Sequence, residues 1–188
     1  MRRTLIYLSI IFLFTSCFQE DDFPSPTQEG ANTFGCYING EQFKTKGNVT
    51  VRAASAYLTN TGNLKYISIG GDRAHDETPQ SVNLSVYYDN LMAGEREFDL
   101  KRSYNGDVTE DGSIVYYKLD SAWASYKIAG TYEFYSNTDY TGKLHISRFD
   151  PDNMIISGIF YFDAINSEGE VVKITDGRFD FTYSSLID

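Results

Sequence analysis

From residue 32 onward, apolar positions alternate with polar ones, and no segment sustains the three-to-four-residue spacing of a helix. That period predicts strands throughout, separated by turn signals about every ten residues. Asn39-Gly40 stands between 33–38 and 41–46 as a two-residue hairpin turn, the pair best suited to positive φ at both central positions. Further strands are predicted at 49–58, 64–69, 81–87, 96–100, 114–119, 123–128 and 131–135. Asn60-Thr61-Gly62-Asn63 and Asn105-Gly106 punctuate them.

In the C-terminal third the turns also set the register. Asp176-Gly177 as a two-residue turn pairs Ile174 with Phe179 and Val172 with Phe181, and places Lys173 opposite Asp180. Ser167-Glu168-Gly169 suits a three-residue loop with glycine in the left-handed position, pairing Ala164 with Val172 and Phe162 with Ile174. Pro151-Asp152-Asn153 suits the same loop, with Asn153 left-handed, and pairs Ile146 with Gly158 and Leu144 with Phe160. Together these turns gather Leu144, Ile146, Ile156, Phe160, Phe162, Ala164, Val172, Ile174, Phe179 and Phe181 on one face. A slip of one residue at any turn would scatter that set. The expectation is an all-β domain, an antiparallel β-sandwich or flattened barrel, with a C-terminal four-stranded meander whose apolar face the remaining strands cover.

Composition narrows the picture. With 41% hydrophobic residues in 188, the chain can bury one core, and 15 Tyr with 13 Phe favour pleated surfaces. The formal charge of -10, without a cluster of Lys and Arg, argues against nucleic acid as a partner.

The first residues follow a different pattern. Arg2 and Arg3 precede a mostly apolar run over 5–14, far short of the ~20 residues of a membrane span, so 1–16 is expected to be a secretory leader. Phe14-Thr15-Ser16-Cys17 resembles the lipobox of bacterial lipoproteins, with Phe14 where leucine is usual. The resemblance implies that Cys17 is lipidated and becomes the N-terminus, which would bar a Cys17–Cys36 disulfide and leave Cys36 a small buried hydrophobe. Residues 17–31 are polar and proline-bearing, and are expected to form a flexible tether before a single domain at 32–188.

Tyr140-Thr141-Gly142-Lys143-Leu144, Ile155-Ile156-Ser157-Gly158, 172–180 and the opening Phe34-Gly35-Cys36-Tyr37-Ile38-Asn39-Gly40 resemble the recurrent motifs of a lipoprotein family from Bacteroidetes without an assigned function. The resemblance implies a shared fold and an outer-membrane location, on the cell surface or the periplasmic face. It brings no catalytic residues. Glu20, Asp21 and Asp22 resemble the surface-export signal of such proteins, with an ordinary acidic linker as the alternative, and Asp120-Ser121-Ala122 resembles their O-glycosylation motif at Ser121.

Candidate chemistry is sparse. No hydrolase elbow, zinc-protease helix, phosphate loop or dinucleotide fingerprint is present, and no cofactor or metal is implied. His145 is expected on the meander's polar face and His75 in a charged loop. Glu95, Glu97 and Asp99 share one strand face; a glycosidase would need two carboxylates across a cleft, and a solvated face is the plainer reading. The acidic run 107–112 begins like a calcium loop, yet Lys118 stands where a bidentate glutamate belongs. Tyr87, Tyr88, Tyr116, Tyr117, Tyr126, Tyr132, Tyr135 and Tyr140 could stack on sugars or anchor a partner, against the plainer role of cross-strand packing. The sequence thus leads to a membrane-held, non-enzymatic binding or adhesion module with a glycan or protein ligand. A glycan-binding subunit or carbohydrate-active enzyme, and a structural component of an envelope assembly, are the alternatives.

Overall fold

The computed structural model describes residues 23–45, 54–61, 64–74, 76–88, 93–101, 107–108, 114–115, 121–129 and 132–187. These form strands and no helix. The strands are β1 (Thr33–Ile38), β2 (Glu41–Lys44), β3 (Ala54–Thr61), β4 (Leu64–Asp72), β5 (Gln80–Tyr87), β6 (Arg96–Leu100), β7 (Asp107–Val108), β8 (Ile114–Val115), β9 (Ser121–Ile128), β10 (Tyr132–Tyr135), β11 (Gly142–Asp150), β12 (Ile155–Ile165), β13 (Val171–Thr182) and β14 (Ser184–Ile187). Twelve of them make one sheet in the order β14-β3-β4-β5-β9-β6-β11-β12-β13-β1-β2, and β10 pairs with both β9 and β12. That double pairing closes β9, β6, β11, β12 and β10 into a five-stranded barrel. The wings β5-β4-β3-β14 and β13-β1-β2 continue outward and pack on each other, β1 against β4 and β13 against β3. The all-β expectation holds in a form that joins its two options, a closed barrel with sandwich-like wings. Pairing is antiparallel except between β6 and β9 and between β14 and β3.

Alternation builds the core as expected. Val82, Leu84 and Val86 of β5 and Ile67 and Ile69 of β4 are buried. Phe34, Phe160, Phe162, Phe179 and Phe181 form a continuous aromatic cluster with ring centroids 5.4–6.4 Å apart, each ring contributing hydrophobic burial of about 1.5–3 kcal/mol. All ten residues assigned to the apolar face are buried. The Asn39-Gly40 hairpin forms as read, with φ of 51° and 86° at the two positions and Ile38 opposite Glu41. The loop Ser167-Glu168-Gly169 also forms, with Gly169 at φ 87° and Asn166 Oδ1 accepting from the Glu168 and Glu170 amides. Phe162 pairs with Ile174 and Ala164 with Val172, as expected.

Two turns differ. Asp176-Gly177 makes no hairpin: β13 runs unbroken through it, so the meander has three strands, β11-β12-β13, rather than four. Asp176 takes φ 51° as a bulge residue, and the register moves from Phe162–Ile174 to Phe160–Gly177. A two-residue turn and a one-residue bulge both reverse the inside–outside alternation, so Ile174 and Phe179 share a face under either geometry. They lie on one strand, however, and Phe179 faces Gly158. The place of the fourth strand is taken by β1, with Phe34 opposite Phe179. Lys173 pairs with Asp163, not Asp180. In the second turn, four residues separate Asp150 from Ile155, and Met154, not Asn153, has the positive φ of 56°. A bulge between Ile146 and Arg148 absorbs the extra residue, which is why the expected pairs Ile146–Gly158 and Leu144–Phe160 are found.

The flexible tether expected at 17–31 is contradicted where it is described: residues 23–31 are docked on the domain. From Phe23, which is buried, the chain lies as a strap across the outer face of β13 and β1.

Candidate functional site

The outer face of β6, β11, β12 and β13 carries the charged rows. Register sets Glu97 beside His145 and Asp99 beside Lys143 on the neighbouring strands, and places Ile159 and Tyr161 next on β12. Lys143 Nζ donates to Glu97 at 2.8 Å and lies 2.9 Å from Asp99, so its pKa is pushed upward and that of Asp99 downward. His145 Nε2 is 2.9 Å from Glu95. The three carboxylates therefore stand on a solvated face, Glu97 and Asp99 sharing Lys143 across the strands and Glu95 facing His145. None has the burial that raises a catalytic acid.

Beside this row lies an open groove of about 610 Å³. Its floor carries Ile159 and Tyr161, large side chains that are 49% and 54% exposed on a central strand. Glu97, Lys143 and His145 line one side, and Pro26 of the strap with Asp176 and Arg178 the other. The β13 bulge has a local consequence here, since it turns Asp176 outward onto the groove rim.

The strap that supplies Pro26 is held by a buried carboxylate. Asp180 is 1% exposed and accepts hydrogen bonds from Thr27 Oγ1 (2.7 Å), Glu29 N (2.9 Å), Gly30 N (2.8 Å), Ala31 N (3.1 Å) and Ser157 Oγ (2.7 Å). Burial alone would raise its pKa, but the bonds from Ser157, Thr27, Glu29 and Ala31 outweigh burial and hold it at about 2. Arg178 fixes the start of the strap, donating to the Pro24 carbonyl at 3.1 Å with its guanidinium 5.0 Å above the Phe23 ring. Phe23 in turn packs on Tyr37 at 4.9 Å, and Arg148 donates to the Gln28 carbonyl.

The other sequence candidates do not converge on this groove. Cys36 is fully buried in β1, and burial pushes its thiol pKa upward. Tyr87, Tyr88 and Tyr126 are buried and Tyr135 and Tyr140 half-buried, as packing residues are. The backbone of Ser121 begins β9 opposite Tyr87. Cys17, Glu20, Asp21, Asp22, His75, Tyr116, Tyr117 and most of 107–112 lie outside the described residues. A second pocket of about 260 Å³ at the β1–β2 turn holds Arg73, whose guanidinium is paired with Asp76 at 2.5 Å and lies over the Phe43 ring.

Sequence reasoning missed Ile159, Tyr161, Arg178 and Asp180. A signal for the first two was present: within the alternating run of β12 they stand at outward positions, as do the half-buried Ile155 and Ile165 at its ends. No family model, curated protein or solved structure matches the chain.

Proposed function

We propose that the chain is a lipid-anchored envelope protein whose domain is a non-enzymatic binding module, with its ligand taken over Ile159 and Tyr161. The observation that carries this reading is the pair of half-exposed large side chains at the floor of an open groove with a polar rim. The exposed half of each side chain has no role in the domain's own packing, and apolar patches rimmed by polar groups mark binding sites. The exposed, ion-paired carboxylates Glu97 and Asp99 of β6 support binding over catalysis. On the lipobox reading, lipid on Cys17 would hold the domain, and only residues 18–22 separate it from the docked Phe23. Six Cα steps reach at most about 20 Å, so the groove would work close to the membrane surface.

Two experiments test the two halves. Mature-length Cys17→Ala protein is expected to leave the membrane fraction after a high-salt wash while its unfolding midpoint stays unchanged; continued sedimentation would overturn the anchor. Tyr161→Ala and Ile159→Ser are each expected to reduce binding of isolated envelope material to the purified chain without shifting its melting curve. Retention equal to that of the parent chain would remove the groove from the reading.

A further inference from the structure

We infer that the ligand of this groove is a neutral saccharide, one ring of which stacks on Tyr161. The inference rests on the binding-module reading and names its ligand class. The apolar strip is short: Ile159 and Tyr161 are two residues apart on β12, about 7 Å along the strand. On both sides it meets groups that donate and accept hydrogen bonds, Lys143, His145 and Glu97 across from Asp176 and Arg178. A sugar ring has this same make-up, a C–H face for an aromatic ring and a rim of hydroxyls that each donate and accept.

Other occupants fit less well. An acyl chain would need an apolar strip continuing beyond two residues, and here charge interrupts it on both sides. An extended peptide adding as a strand needs an open edge, whereas the β12 backbone is paired with β11 on one side and β13 on the other. A helix needs anchors continued over several turns. The charge of the rim separates neutral from acidic sugars. Lys143 is already shared by Glu97 and Asp99, and Arg178 is engaged by the Pro24 carbonyl and the Phe23 ring. With Asp176 also on the rim and a chain charge of -10, no excess positive charge remains to hold a carboxylate-bearing sugar.

The test uses the full chain in detergent, run in native gels containing a soluble β-glucan, a xylan, an α-mannan, amylopectin or, as the acidic member, polygalacturonate. At least one neutral polymer is expected to retard the chain. Tyr161→Ala should weaken that binding about tenfold or more, as loss of a central aromatic anchor does. Tyr161→Phe, which keeps the ring, should preserve it, and Tyr57→Ala, at an exposed tyrosine on β3, should leave it unchanged. Melting curves of all variants confirm folding. Retardation by polygalacturonate alone, by no polymer, or equally for Tyr161→Ala would overturn the inference. The broader reading fails separately. If a photo-crosslinking residue at 161 joins a defined envelope protein while no polymer binds, the module stands and the saccharide is wrong; if neither couples, both are wrong.

Discussion

Phe160→Ala is expected to destabilise the domain by about 3–5 kcal/mol, and in that background Gly177→Ala should cost almost nothing. In the parent chain the same glycine substitution should cost about 1–3 kcal/mol. Phe160 stands opposite Gly177, and a Cβ placed there would lie 2.5 Å from three atoms of its ring. The ring cannot swing aside, because Phe34, Phe162 and Phe179 surround it. Gly177 itself is not among the positive-φ residues, so alanine suits its backbone once the ring is gone. A double-mutant cycle by urea unfolding should therefore give a coupling of about 1–3 kcal/mol. Equal cost of Gly177→Ala in both backgrounds would mean that the backbone, not the ring, requires glycine, and the account of the bulge would be wrong.

The same site shows how far the sequence could be read. Inside–outside alternation is a strong signal, so every residue of the apolar face could be named before any partner strand was known. Chain reversal is a weaker one. Asp-Gly favours a two-residue turn locally, yet that turn and the observed bulge impose the same change of parity on 172–181. What decides between them is long-range: β1, far earlier in sequence, supplies Phe34 opposite Phe179 and fills the slot a fourth meander strand would need. Local turn chemistry carries no record of that competition. The compensating bulge at 146–148 is hidden for the same reason, since a three-residue loop gives identical pairs farther along.

The candidate site was legible only in fragments. The alternation puts Glu97 and Asp99 on one face, and His145 on the face opposite the core, which is where they stand. Their pairing with β11 depends on strand order, so the lysine they share could not be assigned. Tyr161 was concealed by its neighbours: between Phe160 and Phe162 it reads as one more core aromatic until the period of two is applied strictly. A two-residue turn at Asp176-Gly177 would match Asp180 with Lys173, which instead faces Asp163. In the fold Asp180 meets Ser157 and a segment about 150 residues away, a contact that no local pattern encodes.

Asp180→Asn is expected to lose about 3 kcal/mol and to free the strap from the sheet. The carboxylate accepts five bonds in a site closed to water, three of them at Oδ2 from Thr27, Glu29 and Ala31. An amide can offer one oxygen to that set, so its NH2 must face donors and leave several of them buried without a partner. Acid should act in the same direction. The folded pKa, about 2, lies below the ordinary 3.8, so this stabilisation is complete above about pH 4 and is lost as pH falls through 2. It amounts to roughly 2 kcal/mol. Asp150, also held at about 2 by Asn153 and Arg148, should leave a residual acid dependence in the variant. Urea midpoints between pH 5 and 2 should thus fall steeply for the parent chain and more shallowly for Asp180→Asn. A glutamate-specific protease at neutral pH should cut after Glu29, which is exposed but anchored through its amide, faster in the variant than in the parent. Parallel pH profiles together with equal cleavage would show that the strap is held by other contacts. Because Pro26 rides on that strap and walls the groove, a strap released by Asp180→Asn should also weaken whatever binding Tyr161→Ala abolishes.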